Sequence, residues 1–398
     1  MKNTTMTTLG IAACAALLTL TPATAKVSPA VEVIKADTPA PKPSPTDGQA
    51  KVQIAILLDT SGSMSGLIEQ TKTQLWKIVN TFIDAKQNGQ VPYVEVALYE
   101  YGKSSLSKEE HWIKRIQPLT RDLDEISKQL FNLRTNGGQE YCGAVIQRAT
   151  EDLKWDPSSK VYKAIFIAGN EAFTQGPINA TESVKSAIAK GVIVNTIHCG
   201  SEHAGISGGW KNGAMLADGK FLTIDHNRAV VHIEAPQDAE IVKLNAELNK
   251  TYLAYGRIGA SKKRDQVAQD ANAAAKPESG AAVQRAVSKG SANYHNTSWD
   301  LVDACKEKSF DVTKIKAKEL PKEMRGMNPE QCKAYVDRKA KERAAIQAKI
   351  LALNTKRNAY VTQKRKEMAQ KDGVKTLDEV VASTVRAQAE KKGYAFKK

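Results

Sequence analysis

The clearest structural signal in the chain lies in Val52–Met64, VQIAILLDTSGSM. Its first half is an almost unbroken apolar run, and Asp59 ends that run. The run is too short for a free-standing helix, and β-branched residues without polar alternation are typical of a strand buried on both faces of a parallel sheet. The sequence therefore predicts a central strand that turns into a helix just after Asp59.

Asp59 ends this predicted strand, and Ser61 and Ser63 follow it at alternate positions. All three side chains carry oxygen atoms. Open α/β sheets place their ligand sites here, at the carboxyl ends of strands. One carboxylate and two hydroxyls are hard donors suited to Mg²⁺, Mn²⁺ or Ca²⁺. Asp and Ser also commonly cap the following helix, so both interpretations stand on the residue types alone.

The complete DTSGS motif after a buried strand resembles the metal-ion-dependent adhesion site of the von Willebrand factor A (VWA) family. The resemblance covers about Lys51–Gly256 and implies a VWA/Rossmann-like fold. It also implies that Asp59, Ser61 and Ser63 hold a divalent cation, with Mg²⁺ expected first. The implied partner is a protein that presents an Asp or Glu to the open coordination position.

Two further loops depart from the family pattern. The family's second, glycine-rich loop brings a Thr to the metal, whereas this chain has Gln139 and Glu140 after a glycine pair. The family's Asp at the end of a later strand is matched by Gly169, which Asn170 and Glu171 follow. Either Glu140 or Glu171 replaces the missing charge, or the site is partly degenerate and has a scaffold role only. Glu140 is equally explained as a first-turn acid favoured by the helix dipole.

The remaining pattern predicts an α/β architecture. Strands and helices alternate up to residue 256, which indicates a doubly wound, mostly parallel sheet with a separate C-terminal α-helical region. We expect a signal peptide at 1–25, a Pro/Ala-rich linker at 26–50, a VWA-like domain at 51–256, a linker or marginal helix at 257–298 and a basic helical region at 299–398.

The N-terminus predicts export. Lys2, an apolar stretch from Leu9 to Leu20 and the sequence Ala23-Thr24-Ala25 have the layout of a secretory signal peptide. We expect the periplasm or cell envelope of a bacterium. Lipidation at Cys14 is not expected, because most of the apolar stretch would then follow the cleavage point. No later stretch has the length of a transmembrane helix.

Four cysteines follow the predicted signal peptide, and in an exported protein an even number favours disulfides. Their positions suggest the pairs Cys142–Cys199 and Cys305–Cys332. An enzyme would need a pair such as Cys142 with His198 or His203, and zinc would need His198, Cys199 and His203. A disulfide would occupy the same sulfurs, so neither is favoured.

The C-terminal region carries most of the net charge of +15. Asp311–Lys398 holds 23 Lys and Arg against 11 Asp and Glu. A solvated helical surface explains this simply, and attachment to anionic envelope material is the functional alternative. No nucleic-acid motif is present. One stripe of a long charged helix, a pattern typical of coiled coils, contains Cys332, Val336, Ile346, Ile350, Leu353 and Tyr360.

The sequence thus predicts an exported, metal-assisted adhesion or scaffold module that binds protein and has no catalytic activity. The alternative is a structural envelope protein that binds anionic material through its basic helices while its VWA-like domain holds no metal. A Cys/His hydrolase is the weakest of the three interpretations.

Overall fold

The computed structural model describes residues 50–65, 76–224, 233–275, 280–372 and 377–396, apart from the side chains of 368–372 and 377–379. All of these residues belong to one compact unit. The predicted signal peptide, Cys14 and all but the last residue of the predicted 26–50 linker lie outside the described residues.

A six-stranded sheet forms the centre of the fold, and its order is β4-β3-β1-β5-β6-β7. Its strands are β1 (Lys51–Asp59), β3 (Tyr93–Tyr101), β4 (Ile113–Thr120), β5 (Tyr162–Gly169), β6 (Ile193–Cys199) and β7 (Phe221–Ile224). β1 pairs in parallel with β3 and β5, whereas β4 runs antiparallel to β3. The predicted mostly parallel sheet with its central first strand is confirmed.

Helices cover both faces of the sheet. They include α1 (Leu123–Asn132), α2 (Cys142–Asp152), α3 (Ala180–Ala189), α4 (Glu202–Ser207), α5 (Trp210–Met215), α6 (Asp238–Asn249), α7 (Gly256–Ala274), α8 (Ala281–Lys289), α9 (Leu301–Ala304), α10 (Pro329–Asp372) and α11 (Leu377–Glu390), and residues 76–81 are helical as well. Short 3-10 turns lie at Gly62–Met64, Val312–Lys314, Ala317–Glu319 and Lys322–Met324. The strands β2 (Ala85–Gln87) and β8 (Tyr394–Phe396) pair antiparallel in a second, small sheet.

Successive residues of β1 point into two different cores. Ile54, Ile56 and Leu58 join one apolar cluster, together with residues of α1, α6, α8, α10 and α11. Ala55 and Leu57 join the other, together with residues of α2, α3 and α5. The strand shows no polar alternation because neither of its faces meets water.

The segment 257–298, for which the sequence predicts a linker or a marginal helix, contains the helices α7 and α8. Its composition is poor in large apolar residues, but its charges are buried in pairs. Arg285 lies 2.7 Å from Asp124 and 2.6 Å from Asp270, and Lys289 lies 2.8 Å from Asp270. These ion pairs connect α7 and α8 to α1.

The long helix α10 packs on the domain along one row of side chains. Buried and half-buried positions recur at alternate steps of four and three residues: Cys332, Val336, Lys339, Arg343, Ile346, Ile350, Leu353, Arg357 and Tyr360. The six apolar residues predicted from the sequence all belong to this row. Two of its members are arginines that lie 2.6 Å from buried carboxylates, Arg343 from Asp300 and Arg357 from Asp238.

Every N–H of the Arg343 guanidinium has an acceptor. Nη1 donates to Asp300 Oδ2 and Asp303 Oδ1, and Nη2 donates to Asp300 Oδ1 and Thr251 O. Nε donates to Thr251 Oγ1. The guanidinium carbon also lies 3.9 Å from the centroid of the Tyr252 ring. The buried charge is therefore fully compensated.

The last two elements close the first core at the amino ends of the strands. Tyr162 Oη donates to Gln388 Oε1 at 2.8 Å, and Gln388 Nε2 donates to Asn195 Oδ1 at 2.8 Å. Tyr394 Oη donates to Lys51 O, the carbonyl at the start of β1. α11 and β8 thus attach by specific polar contacts as well as by apolar packing.

The disulfide prediction is wrong for all four cysteines, which are free thiols: Cys142, Cys199, Cys305 and Cys332. Cys142 belongs to the cluster on one face of the sheet and Cys199 to the cluster on the other, so the sheet separates their sulfurs. Cys332 Sγ instead contacts Met327 O at 3.8 Å, and Cys305 is exposed.

Candidate functional site

The turn after β1 is held by its own carboxylate. Asp59 is fully buried, and its Oδ1 accepts a 2.7 Å hydrogen bond from Ser61 N. Ser61 precedes the 3-10 turn Gly62–Met64, but its side chain caps none of that turn's N–H groups. Capping of this 3-10 turn therefore does not explain the orientation of the Ser61 hydroxyl.

The hydroxyls of this turn converge. Ser61 Oγ and Ser63 Oγ lie 2.9 Å apart, and Ser63 Oγ donates to Asn170 Oδ1 at 3.0 Å. Asn170 immediately follows β5, which neighbours β1 in the sheet. Two loops at the carboxyl edge thus place their oxygen atoms side by side.

Glu140 reaches the same place from the loop between α1 and α2. It is only 7% exposed. A Cβ atom on Gly102 would lie 2.8 Å from Asp59 Oδ1 and 2.9 Å from Glu140 Cγ, so both acids border the same glycine. A Cβ on Gly138 would lie 1.8 Å from Gly102 O. The turn after β3 and the loop between α1 and α2 can approach this closely because each has a glycine, Gly102 and Gly138, at the point of contact.

Negative charge is concentrated at this point. Burial raises the pKa of Asp59 to about 7; the Ser61 hydrogen bonds oppose this shift, and the charges of Glu140 and Glu171 add to it. Burial, followed by the charge of Glu171, also raises the pKa of Glu140. Asp59 Oδ2 is buried and has no hydrogen-bond partner. A cation would compensate both the charge and the unsatisfied oxygen.

The space beside Gly169 is already filled. A Cβ there would lie 2.6 Å from Tyr101 Oη and 3.0 Å from Trp210 Cη2. Tyr101 Oη donates to Ala168 O at 3.0 Å, which holds the ring under the site. No larger side chain fits at this strand end without displacing these aromatic residues.

Glu171 lies at the exposed rim. Its backbone oxygen accepts a 2.7 Å hydrogen bond from Trp210 Nε1, and its side chain faces solvent. The structure therefore brings the buried Asp59, Ser61 and Glu140 together with the exposed Ser63, and Glu171 follows Asn170 at the exposed rim. Sequence reasoning missed Gly102, Tyr101 and Trp210 as shaping residues, and only the glycine at the end of β3 hinted at a close approach.

Cys142 and His198 are buried, whereas His203 is exposed. Cys142 Sγ lies 3.6 Å from Tyr101 Oη, and burial raises the pKa of this thiol. A buried, protonated thiol is a poor nucleophile. His198 packs against Trp210, with 5.6 Å between the ring centroids, and His203 is exposed on α4.

Metal ligation here would depend on hydroxyls as well as acids. In the part of the chain that the structure describes, no group of three His, Cys, Asp or Glu side chains is arranged to hold a metal ion. The candidate set therefore includes the oxygens of Ser61 and Ser63. None of the described helices is both long and apolar enough to span a membrane.

Comparisons with known proteins bear on the same region. The family model for the von Willebrand factor type A domain matches residues 53–205. No curated protein sequence matched significantly.

Three solved structures are similar to part of the chain, each over 44 or 45% of its length. They are the hypothetical protein BatB from Bacteroides thetaiotaomicron (17% identity, 90% of that chain, TM-score 0.34), proximal thread matrix protein 1 from the mussel byssus with a zinc-occupied MIDAS motif (15%, 43%, 0.35) and the pilus adhesin SpaC from Lactobacillus rhamnosus GG (14%, 28%, 0.34). With the sheet order and the turn after β1, the family match identifies residues 53–205 of this chain as a von Willebrand factor type A domain.

Proposed function

We propose that this domain is a non-catalytic protein-binding module whose site is completed by a divalent cation. The observation that carries the proposal is Asp59 Oδ2, a buried carboxylate oxygen without a hydrogen-bond partner at the centre of an all-oxygen group. Hard oxygen donors suit Mg²⁺ first, with Mn²⁺ or Ca²⁺ as alternatives.

Asp59, Ser61, Ser63 and Glu140 are the residues that would hold the cation. Of the two acids that can replace the family's missing Asp, Glu140 fits better because it is buried and borders the same glycine as Asp59. Glu171 is exposed and is a peripheral member of the set. When bound, the cation offers an open coordination position to a carboxylate.

The partner in this proposal is a protein that presents an Asp or Glu. The Cys142 thiol is buried and its pKa is raised by burial, which makes it a poor nucleophile and argues against a Cys/His hydrolase. Export to the periplasm or cell envelope rests on the N-terminal sequence and fits a module that meets its partner outside the cytoplasm.

Isothermal titration of Mg²⁺ and Mn²⁺ into the full chain tests the proposal. We expect Asp59→Asn to weaken binding by more than about tenfold, since even residues that only support metal ligands contribute that much. Asp152→Asn, on the exposed end of α2, serves as the matched control and should bind like the unaltered protein. Equal affinities in all three proteins would contradict a metal site at Asp59.

A second candidate function rests on the surface between α9 and α10. Seven cations are exposed there: Lys306, Lys308, Lys314, Lys316, Lys318, Lys322 and Arg325. Only three exposed acids accompany them: Glu307, Asp311 and Glu323. This surface would attract anionic envelope material through screened, salt-dependent interactions.

Sedimentation with phosphatidylglycerol vesicles tests this second candidate. We expect binding that weakens with added salt and is lost when Lys314, Lys316 and Lys318 are replaced by Ser. Binding that resists salt, or that survives the triple substitution, would exclude it. The Asp59→Asn protein should sediment like the unaltered chain.

A further inference from the structure

Lys289 places a primary amine inside the fold, away from the cation site. It is the last residue of α8 and is fully buried, which is rare for lysine. Its Nζ lies 2.5 Å from Oδ1 of Asn249, the last residue of α6, and 2.8 Å from Oδ2 of Asp270 on α7. Three helices thus bring an amine, a carboxamide and a carboxylate into direct contact.

One oxygen atom of Asp270 contacts both of the other groups. Oδ2 accepts hydrogen bonds from Lys289 Nζ at 2.8 Å and from Asn249 Nδ2 at 2.6 Å, while Oδ1 accepts from Arg285 Nε at 2.6 Å. Burial alone would raise the pKa of Asp270, but the charges of Lys289 and Arg285 lower it to about 2. An ionised carboxylate between two nitrogen atoms can take a proton from one and pass it to the other.

The surroundings of Lys289 favour its neutral form. Burial lowers the pKa of this amine to about 8, a shift that the charges of Asp270 and Asp124 oppose and that of Arg285 strengthens. A neutral amine has the lone pair that a nucleophile needs. Because a C=O bond is about 1.23 Å long, Nζ lies at most about 3.7 Å from Asn249 Cγ. That separation is close to the roughly 3–3.5 Å at which positioned groups react.

We propose that Lys289 and Asn249 form an intramolecular isopeptide bond, with Asp270 as the proton shuttle. Lys289 Nζ attacks Asn249 Cγ, so that an Nζ–Cγ bond forms and the Cγ–Nδ2 bond breaks. Asp270 Oδ2 takes a proton from Nζ and donates it to Nδ2, which leaves as ammonia. Nothing is oxidised or reduced, and the reaction consumes only the amine and the carboxamide.

The bond joins the end of α6 to the end of α8, which are 40 positions apart in the sequence. Residues of both helices belong to the apolar cluster that contains Ile54 and Leu58. A covalent link of this kind restricts the unfolded chain as a disulfide does, and reductants do not cleave it. It is independent of the proposed cation site.

A second amine and carboxamide in the same region provide an internal comparison. Lys263 Nζ donates to Gln266 Oε1 at 2.8 Å, but Gln266 Nε2 donates to Tyr294 Oη at 3.1 Å and not to a carboxylate. Without an acid that contacts both nitrogen atoms, we expect Lys263 and Gln266 to remain unlinked.

Peptide mass spectrometry of the full chain tests the bond. The folded protein is held at about pH 8, near the pKa of Lys289, then denatured and digested with trypsin, which cannot cleave after an acylated lysine. The digest is searched for a branched peptide that joins Lys289 to Asn249. The variants are Asp270→Ala and, as its matched control, Asn245→Ala, whose amide also donates to Asp270, at 3.1 Å.

We expect the unaltered chain to yield the branched peptide, lighter by one ammonia than the sum of its two arms. Asn245→Ala should link to the same extent, whereas Asp270→Ala should link at least about a hundredfold more slowly. Equal linking in Asp270→Ala would exclude the shuttle while the bond stands. If the unaltered chain unfolds cooperatively in urea, and so is folded, but yields only the two separate peptides, the bond itself is excluded.

Discussion

Asp59 combines complete burial with a carboxylate oxygen that no hydrogen bond satisfies. Without a cation, ionising this group costs free energy in the folded state only, because in the unfolded chain water solvates it. The pKa of about 7 in the folded protein, against 3.8 for a free Asp side chain, expresses that cost. The free energy of unfolding should therefore depend on pH over the range in which the folded and unfolded states bind different numbers of protons.

The sign of this dependence follows from the raised pKa. In EDTA, the free energy of unfolding should fall as pH rises from about 4 to about 7, by at most about 4 kcal/mol at ~1.4 kcal/mol per pKa unit, and then level off. Saturating Mg²⁺ should remove the fall, since the cation stabilises the ionised form. Urea unfolding across this pH range, with and without Mg²⁺, measures both effects.

Asp59→Asn is the control for this pH dependence. It removes the titrating group while keeping the size of the side chain. In EDTA, most of the fall in the free energy of unfolding with pH should disappear. A smaller part should remain because the pKa of Glu140 is also raised. A slope that persists undiminished in Asp59→Asn would assign the effect to other groups.

Gly169 can be tested by adding a single methyl group. Gly169→Ala should lower the free energy of unfolding by about 1–3 kcal/mol because its Cβ meets Tyr101 Oη and Trp210. Gly137→Ala is the matched control, since nothing lies within 4 Å of a Cβ there. In a Tyr101→Phe background the cost of Gly169→Ala should shrink, and an unchanged cost in this double-mutant cycle would contradict the steric explanation.

The residues of the site could be predicted only where their neighbours in sequence determine them. The DTSGS turn follows a strand that the apolar run identifies, so Asp59, Ser61 and Ser63 were placed correctly at a sheet edge. The burial of Glu140 depends on the contact between Gly102 and Gly138, which are far apart in sequence. No local pattern distinguishes Glu140 from an ordinary first-turn acid.

At the scale of elements, α10 depends on its arginines as much as on its apolar residues. Arg343 occupies a core-facing position and compensates the charges of Asp300 and Asp303. Arg343→Ala should lower the free energy of unfolding by about 3–5 kcal/mol, because it leaves the buried Asp300 without its cation and Asp303 with Lys306 as its remaining close cation. Urea unfolding measures the loss.

Lys341→Ala, two residues away and exposed, provides the comparison for Arg343→Ala. It should change the free energy of unfolding by less than about 0.5 kcal/mol. Equal effects of the two substitutions would mean that α10 contributes little through its buried ion pairs.

The helices and strands could be predicted from the sequence where the spacing of apolar residues is a sufficient signal for them. β1 and β5 contain the apolar runs Ile54–Leu58 and Ala164–Ala168, and α1 shows a clear apolar face. α7 and α8 gave no such signal, because buried ion pairs help to hold them: Arg285 pairs with Asp124 on α1, and Lys289 pairs with Asp270 on α7. Composition classes these charged residues as solvent-facing, and the structure buries them.

At the scale of the whole molecule, the helices beyond residue 256 complete the VWA core. Residues of α8, α10 and α11 belong to the same apolar cluster as Ile54 and Leu58. An isolated 51–256 fragment would expose that face of its core to water. We therefore expect the fragment to bind the dye ANS and to melt without a sharp transition, whereas the full chain melts cooperatively.

Differential scanning calorimetry with ANS fluorescence separates these outcomes. A 51–256 fragment that melts cooperatively at the temperature of the full chain would show that the later helices are dispensable for the fold. Restoring cooperativity by adding the separate 257–398 segment would support the shared core directly.

The polar contact between Tyr394 and Lys51 has a practical consequence for handling the protein. It places residue 394 beside the first residue of β1, at the rim of the sheet opposite Asp59 and Glu140. A chain immobilised on a sensor surface through a tag placed after residue 396 would be anchored on that opposite side. Its acid-lined turn would face the flowing solution, which suits this orientation to screening for ligands.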